Sequence, residues 1–150
     1  MKRALQIAGG IVLVFGLIQL VPYGRNHTNP PVTGEPAWDS PRTRELARRA
    51  CFDCHSNQTV WPWYSHVAPV SWFLQHHIDE GREHLNFSTW NPAAPQRAAK
   101  HADREVTRGD MPLSSYTWMH PEARLSAAER DELAKGLRAT FGAGSGAIDE

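Results

Sequence analysis

Cysteine is nearly missing from this chain: its 150 residues include two, at positions 51 and 54. That excludes a disulfide-stapled scaffold, so stability must come from packing or from a bound group. With no second Cys pair and no His-x₃₋₅-His spacing, the ligand set of a structural zinc site is lacking. Net charge is lacking as well, since sixteen basic residues face sixteen acidic ones. The two signs are mixed along the sequence, without the clustered basic face that nucleic acid requires. No internal repeat occurs. No run alternates apolar and polar residues for long enough to make a convincing strand. The strand–helix setting of a thioredoxin-type thiol pair therefore has no support.

What the chain does have is the run Cys51-Phe52-Asp53-Cys54-His55. Two thiols three positions apart, followed directly by an imidazole, form the spacing that attaches a c-type haem. Each thiol adds across one of the two vinyl groups on one porphyrin edge. The adjoining His55 can swing its ring under the iron as proximal ligand. A lone disulfide between Cys51 and Cys54 would strain the short loop it closes. The expected cofactor is one covalently attached haem c. Asp53, inside the motif, is a candidate for tuning it electrostatically.

Iron has a second axial position, and Gly109-Asp110-Met111-Pro112 makes the strongest bid for it. Gly and Pro fix the loop, and an unbranched thioether reaches the metal. Histidine is the rival. His76, His77 and His84 fall in one expected helix, with His77 and His84 on one face, and His120 precedes Pro121. Methionine on iron raises the reduction potential, whereas a second imidazole lowers it. Met119 lies among aromatics with no comparable turn. Six tryptophans are many for a domain of this size. A haem offers them an apolar disc to pack around, and Trp63 and Trp118 are the candidates for contact with it.

The expected organisation has four parts: an apolar segment over 1–21, a Pro/Gly-rich linker over 22–38, a folded domain over 39–141 and a flexible tail over 142–150. The domain reads as all-α. Asp39 or Ser40 caps a helix with Pro41 at its first position, running through Thr43–Ala50 into the cysteines. Further helices are expected over Val70–His84 and over Gln96–Thr107, the latter ended near Gly109. A last helix opens with the Ser126-x-x-Glu129 capping box and repeats Leu133, Leu137 and Phe141. Trp61–Pro69 and Met111–Pro121 read as tight loops.

The first segment is uncharged from Ala4 to Val21. As a helix it would run roughly 27 Å, near the thickness of a bilayer core. Lys2 and Arg3 precede it, so the positive-inside rule orients it with the domain outward. No Ala-x-Ala-like site follows, which favours an uncleaved single-pass anchor over a cleaved signal peptide. The expected location is the bacterial inner membrane, with the domain in the periplasm.

The stretches Cys51–Thr59, Trp61–Phe73 and Gly81–Trp90 resemble the bacterial haem-binding domain family of small exported monohaem proteins. Gly109–Tyr116 and His120–Arg130 resemble the end of the same family. The likeness covers about Trp38 to Leu137. It implies a cytochrome c-like helical fold, covalent haem on Cys51 and Cys54, and His55 as proximal ligand, and it fits Met111 as the distal one. The expected function is tethered electron transfer with redox partner proteins, not enzymatic turnover, for which no catalytic constellation is visible. The alternative is a peroxidase or a gas or redox sensor, with an open or His-ligated sixth site and Arg82 or Arg108 as distal groups.

Overall fold

The computed structural model describes residues 1–142, so the tail expected over 142–150 lies, from residue 143 on, outside the described residues. The helices are α1 (Lys2–Ile18), α2 (Pro41–Ala50), α3 (Phe52–His55), α4 (Val70–His84), α5 (Ala102–Arg108), α6 (Ser114–Met119) and α7 (Ala127–Gly142). Short 3₁₀ turns occur at Trp63–His66, Arg97–His101 and Pro121–Ala123. Among the described residues there is no strand, only an isolated parallel bridge between Gly34 and Thr89. The all-α expectation holds.

Local chemistry sets the ends of the two main core helices. Ser40 is extended, and its Oγ accepts from the Thr43 amide at 3.1 Å, with Pro41 opening α2 behind it. The capping box of α7 is reciprocal. The Glu129 amide donates to Ser126 Oγ at 3.2 Å, and the Ser126 amide donates to Glu129 Oε2 at 2.9 Å. That amide, with the Arg49 guanidinium behind it, holds the Glu129 carboxyl down to about 2. From this start Leu133, Leu137 and Phe141 turn inward onto α5 and α2. With Leu46, Phe52 and Phe87 they form the core, and Trp38 packs against it.

The expected helix over Gln96–Thr107 is broken in two. Gln96 is extended because its carboxamide both accepts from the Asn86 amide and donates to the Asn86 carbonyl, at 2.5 and 2.9 Å. Only a 3₁₀ turn fits between it and α5. Gly109, at φ 80°, then ends α5 in the left-handed conformation that glycine tolerates. The Met111–Pro121 loop contains α6, six residues long and too short to show a period.

Two larger expectations change. The membrane-spanning helix is not formed: α1 covers 17 residues, and no helix among the described residues is long and apolar enough to cross a membrane. The apolar run is cut at Gln19, which caps α1 and turns into the domain. Its carboxamide accepts from the Ala68 amide and donates to the Ala68 carbonyl, both at 2.9 Å. Gln6 and three glycines dilute the rest. The single-pass anchor, and the inner-membrane location built on it, are therefore not supported.

The segment from Pro22 to Trp38 is also packed rather than standing off as a spacer. Asn57 Nδ2 donates to the Pro31 carbonyl at 2.8 Å, and the Thr33 amide to that of Ser88 at 2.8 Å. Trp38 sits edge-on to Phe87 at 5.1 Å and within 6.1 Å of Phe141.

Candidate functional site

Cys51 is the residue where α2 ends and α3 begins, so the thiol motif is wound into a single helical turn. The His55 amide donates to the Cys51 carbonyl at 2.9 Å and closes that turn. The turn lies against α4. Gly81 makes the close approach possible, because a Cβ there would meet the Cys54 carbonyl oxygen at 2.6 Å.

The same contact orients the imidazole. His55 Nδ1 lies 3.0 Å from the Gly81 carbonyl and 3.0 Å from that of Leu85. Both partners are acceptors, so Nδ1 carries the proton and Nε2 keeps its lone pair. Burial lowers the pKa of this imidazole and keeps it neutral. A neutral ring with one nitrogen tied to backbone carbonyls is the state in which histidine ligates a metal through the other.

His55 faces a cavity of about 490 Å³, within the roughly 300–1,000 Å³ usual for cofactor sites. Cys51, Cys54, Asp53 and Met111 share its wall, and Leu85, Phe87, Val106 and Leu137 make much of that wall apolar. The two cysteines are free thiols, not a disulfide. Burial, and then the charge of Cys54, push Cys51 up to about 12; burial and then Asp53 push Cys54 up to about 11. Such thiols are protonated at neutral pH, the opposite of a redox-active pair. Among the described residues, no three His, Cys, Asp or Glu side chains cluster to hold a metal ion.

The structure thus brings Cys51, Cys54, His55 and Met111 together around one space. It leaves Trp63 and Trp118 outside, each 76% exposed and neither on the cavity wall. His77 and His84 line the cavity from the α4 face that carries Gly81. His120 is engaged elsewhere, between Tyr64 and Glu122. Arg82 holds the loop after the motif, donating to the Ser56 carbonyl at 2.9 Å and to Thr59 Oγ1 at 3.0 Å. Arg108 pairs with Asp110 at 3.2 Å. Sequence reasoning missed four participants. The carbonyls of Gly81 and Leu85 leave no mark in a side-chain pattern, although a glycine inside a helix hints at close packing. His101, also on the wall, lies in a segment with no distinguishing motif, and Tyr116 closes the Gly109–Tyr116 stretch, which was read only for Met111.

Paired thiols, a presented imidazole and an apolar chamber among helices define a cofactor-binding helical protein. The chain belongs to the haem-binding domain family, whose model matches residues 13–139. No curated protein and no solved structure matches it. The residues fit the cofactor that membership brings: an unpartnered Nε2, two thiols on one wall and a largely apolar chamber. This is a haem-binding protein.

Proposed function

We propose that the chain holds one haem c covalently through Cys51 and Cys54, with His55 and Met111 on the iron, and carries single electrons between redox partner proteins. The observation that supports this most is the His55 clamp, with Nδ1 held at 3.0 Å by two carbonyls and Nε2 left toward a cavity that Met111 also lines. Met111 is favoured over His77 and His84 because those two share the α4 face that grips His55 from the Nδ1 side. Met111 enters from the segment after α5.

The bound group supplies the one-electron couple. The chain's own part is to fix the ligands and exclude water. Gly81 and Leu85 hold the imidazole proton at Nδ1, which strengthens Nε2 as a donor. Leu85, Phe87, Val106 and Leu137 keep the chamber dry, and thioether ligation raises the potential.

The test is protein matured in a host able to attach haem, then denatured. Colour is expected to stay with the polypeptide and to be lost from the Cys51→Ala/Cys54→Ala variant. In the ferric state, the weak long-wavelength charge-transfer band of a thioether ligand is expected, and Met111→Ala is expected to abolish it with haem retained. A high-spin ferric spectrum with rapid carbon monoxide binding would instead point to an open site and to enzymatic or sensory chemistry.

A further inference from the structure

Met111 can serve as ligand only if the segment that carries it is held across the cavity, and α6 is poorly equipped to hold itself. None of its residues is buried, and its helical packing is against the adjoining Pro121–Ala123 turn. Two side-chain bonds tie it to the motif side. The Tyr116 hydroxyl donates to Asp53 Oδ2 at 2.7 Å, joining positions 63 residues apart. At the C-cap of α6, Tyr64 donates its hydroxyl to His120 Nε2 at 2.6 Å. The donor direction follows from Glu122, whose carboxylate accepts from His120 Nδ1 at 2.9 Å and leaves Nε2 as the acceptor.

The two bonds are coupled. Tyr116 and His120 stack at 4.2 Å with an interplanar angle of 17°, so the two bonds meet in one pair of packed rings. The receiving end is rigid. Asp53 Oδ1 accepts from the Val60 amide at 3.0 Å, and the Asp53 carbonyl accepts from Thr59 Oγ1 at 2.6 Å. Met111, Pro112, Leu113, Tyr116 and Asp53 all line the chamber, so the Tyr116–Asp53 bond crosses its rim.

We infer that Tyr116 is a positioning residue: its bond to Asp53, backed by the Tyr64–His120 bond, latches the Met111 segment over the cofactor and decides whether an outside ligand reaches the sixth position. The latch rests on the reading that Met111 occupies that position. Tyr116→Phe keeps the ring and its stack on His120 and removes only the hydroxyl.

The experiment titrates haem-loaded full-length protein with imidazole, read by absorption, for wild type, Tyr116→Phe, Tyr64→Phe and Met111→Ala. Tyr116→Phe is expected to bind imidazole about tenfold more tightly or better, the scale of a lost hydrogen bond to a charged group. The charge-transfer band should weaken and the reduction potential fall, with haem content and helical signal unchanged. Tyr64→Phe should move affinity in the same direction. Imidazole affinity and band equal to wild type in Tyr116→Phe would overturn the latch. If Tyr116→Phe loses its helical signal, Tyr64→Phe decides on the same criterion. If Met111→Ala leaves the band untouched, Met111 is not the ligand and the reading beneath has failed. The latch falls with it, whereas a band lost in Met111→Ala together with wild-type imidazole affinity in Tyr116→Phe removes the latch alone.

Discussion

An imidazole held at Nδ1 by two backbone carbonyls cannot turn without giving up both bonds, and this fixes the orientation of the His55 ring. That Cys51, Cys54 and His55 share one cavity was legible, because the Cys-x-x-Cys-His spacing is written in side chains. Their supports were not, since a carbonyl belongs to every residue and only the fold says which one points where. Trp63 and Trp118 illustrate the same limit: an aromatic near a motif in sequence can face either way, and both face solvent. The thiols yield a prediction at this scale. Each has an ordinary value of 9.0, raised by burial to about 12 for Cys51 and about 11 for Cys54. Folded haem-free protein at mildly alkaline pH should therefore react with iodoacetamide roughly a hundredfold more slowly than the same chain in urea. Because the folded values lie above the unfolded one, the folded state binds more protons. The stability this confers is present below pH 9.0 and is lost as pH rises toward 11–12, visible as a falling denaturation midpoint.

At the scale of elements, the contact between α3 and α4 is set by the absence of a side chain at Gly81. Gly81→Ala places a methyl carbon 2.6 Å from a backbone oxygen that cannot swing aside. The overpacking should cost about 1–3 kcal/mol, read as a lower midpoint in chemical denaturation, despite alanine's better helix propensity. Ser126→Ala removes half of the α7 capping box and should cost about 1 kcal/mol by the same measurement. Sequence logic reached α2, α4 and α7 because caps, proline position and apolar spacing agreed there. It failed between Gln96 and Met119. There the Gln96–Asn86 pairing, which reaches back ten residues to another segment, cut one helix short, and α6 offered too few residues for any period.

For the whole molecule, the described chain divides into a helix that buries nothing and a body that begins earlier than composition suggested. α1 has no buried residue, so deleting residues 1–18 should leave the melting temperature within about 2 °C. Deleting 1–38 removes Trp38 from among Phe52, Phe87 and Phe141, along with the Glu35–Arg44 pair at 2.6 Å. Losing a packed tryptophan alone costs about 3–5 kcal/mol, so that melting temperature should fall by about 10 °C or more. Proline and glycine marked 22–38 as loop, which is correct for its backbone. They could not reveal that Asn57 and Ser88 wait to receive it. The sheltered thiols, finally, order events in time. In the closed body Cys51 and Cys54 are too strongly protonated to be good nucleophiles, while in the open chain they are ordinary cysteines. If the haem is attached through these thiols as proposed, stitching it to the polypeptide belongs to the interval before collapse, and the finished architecture would seal bonds it could no longer make.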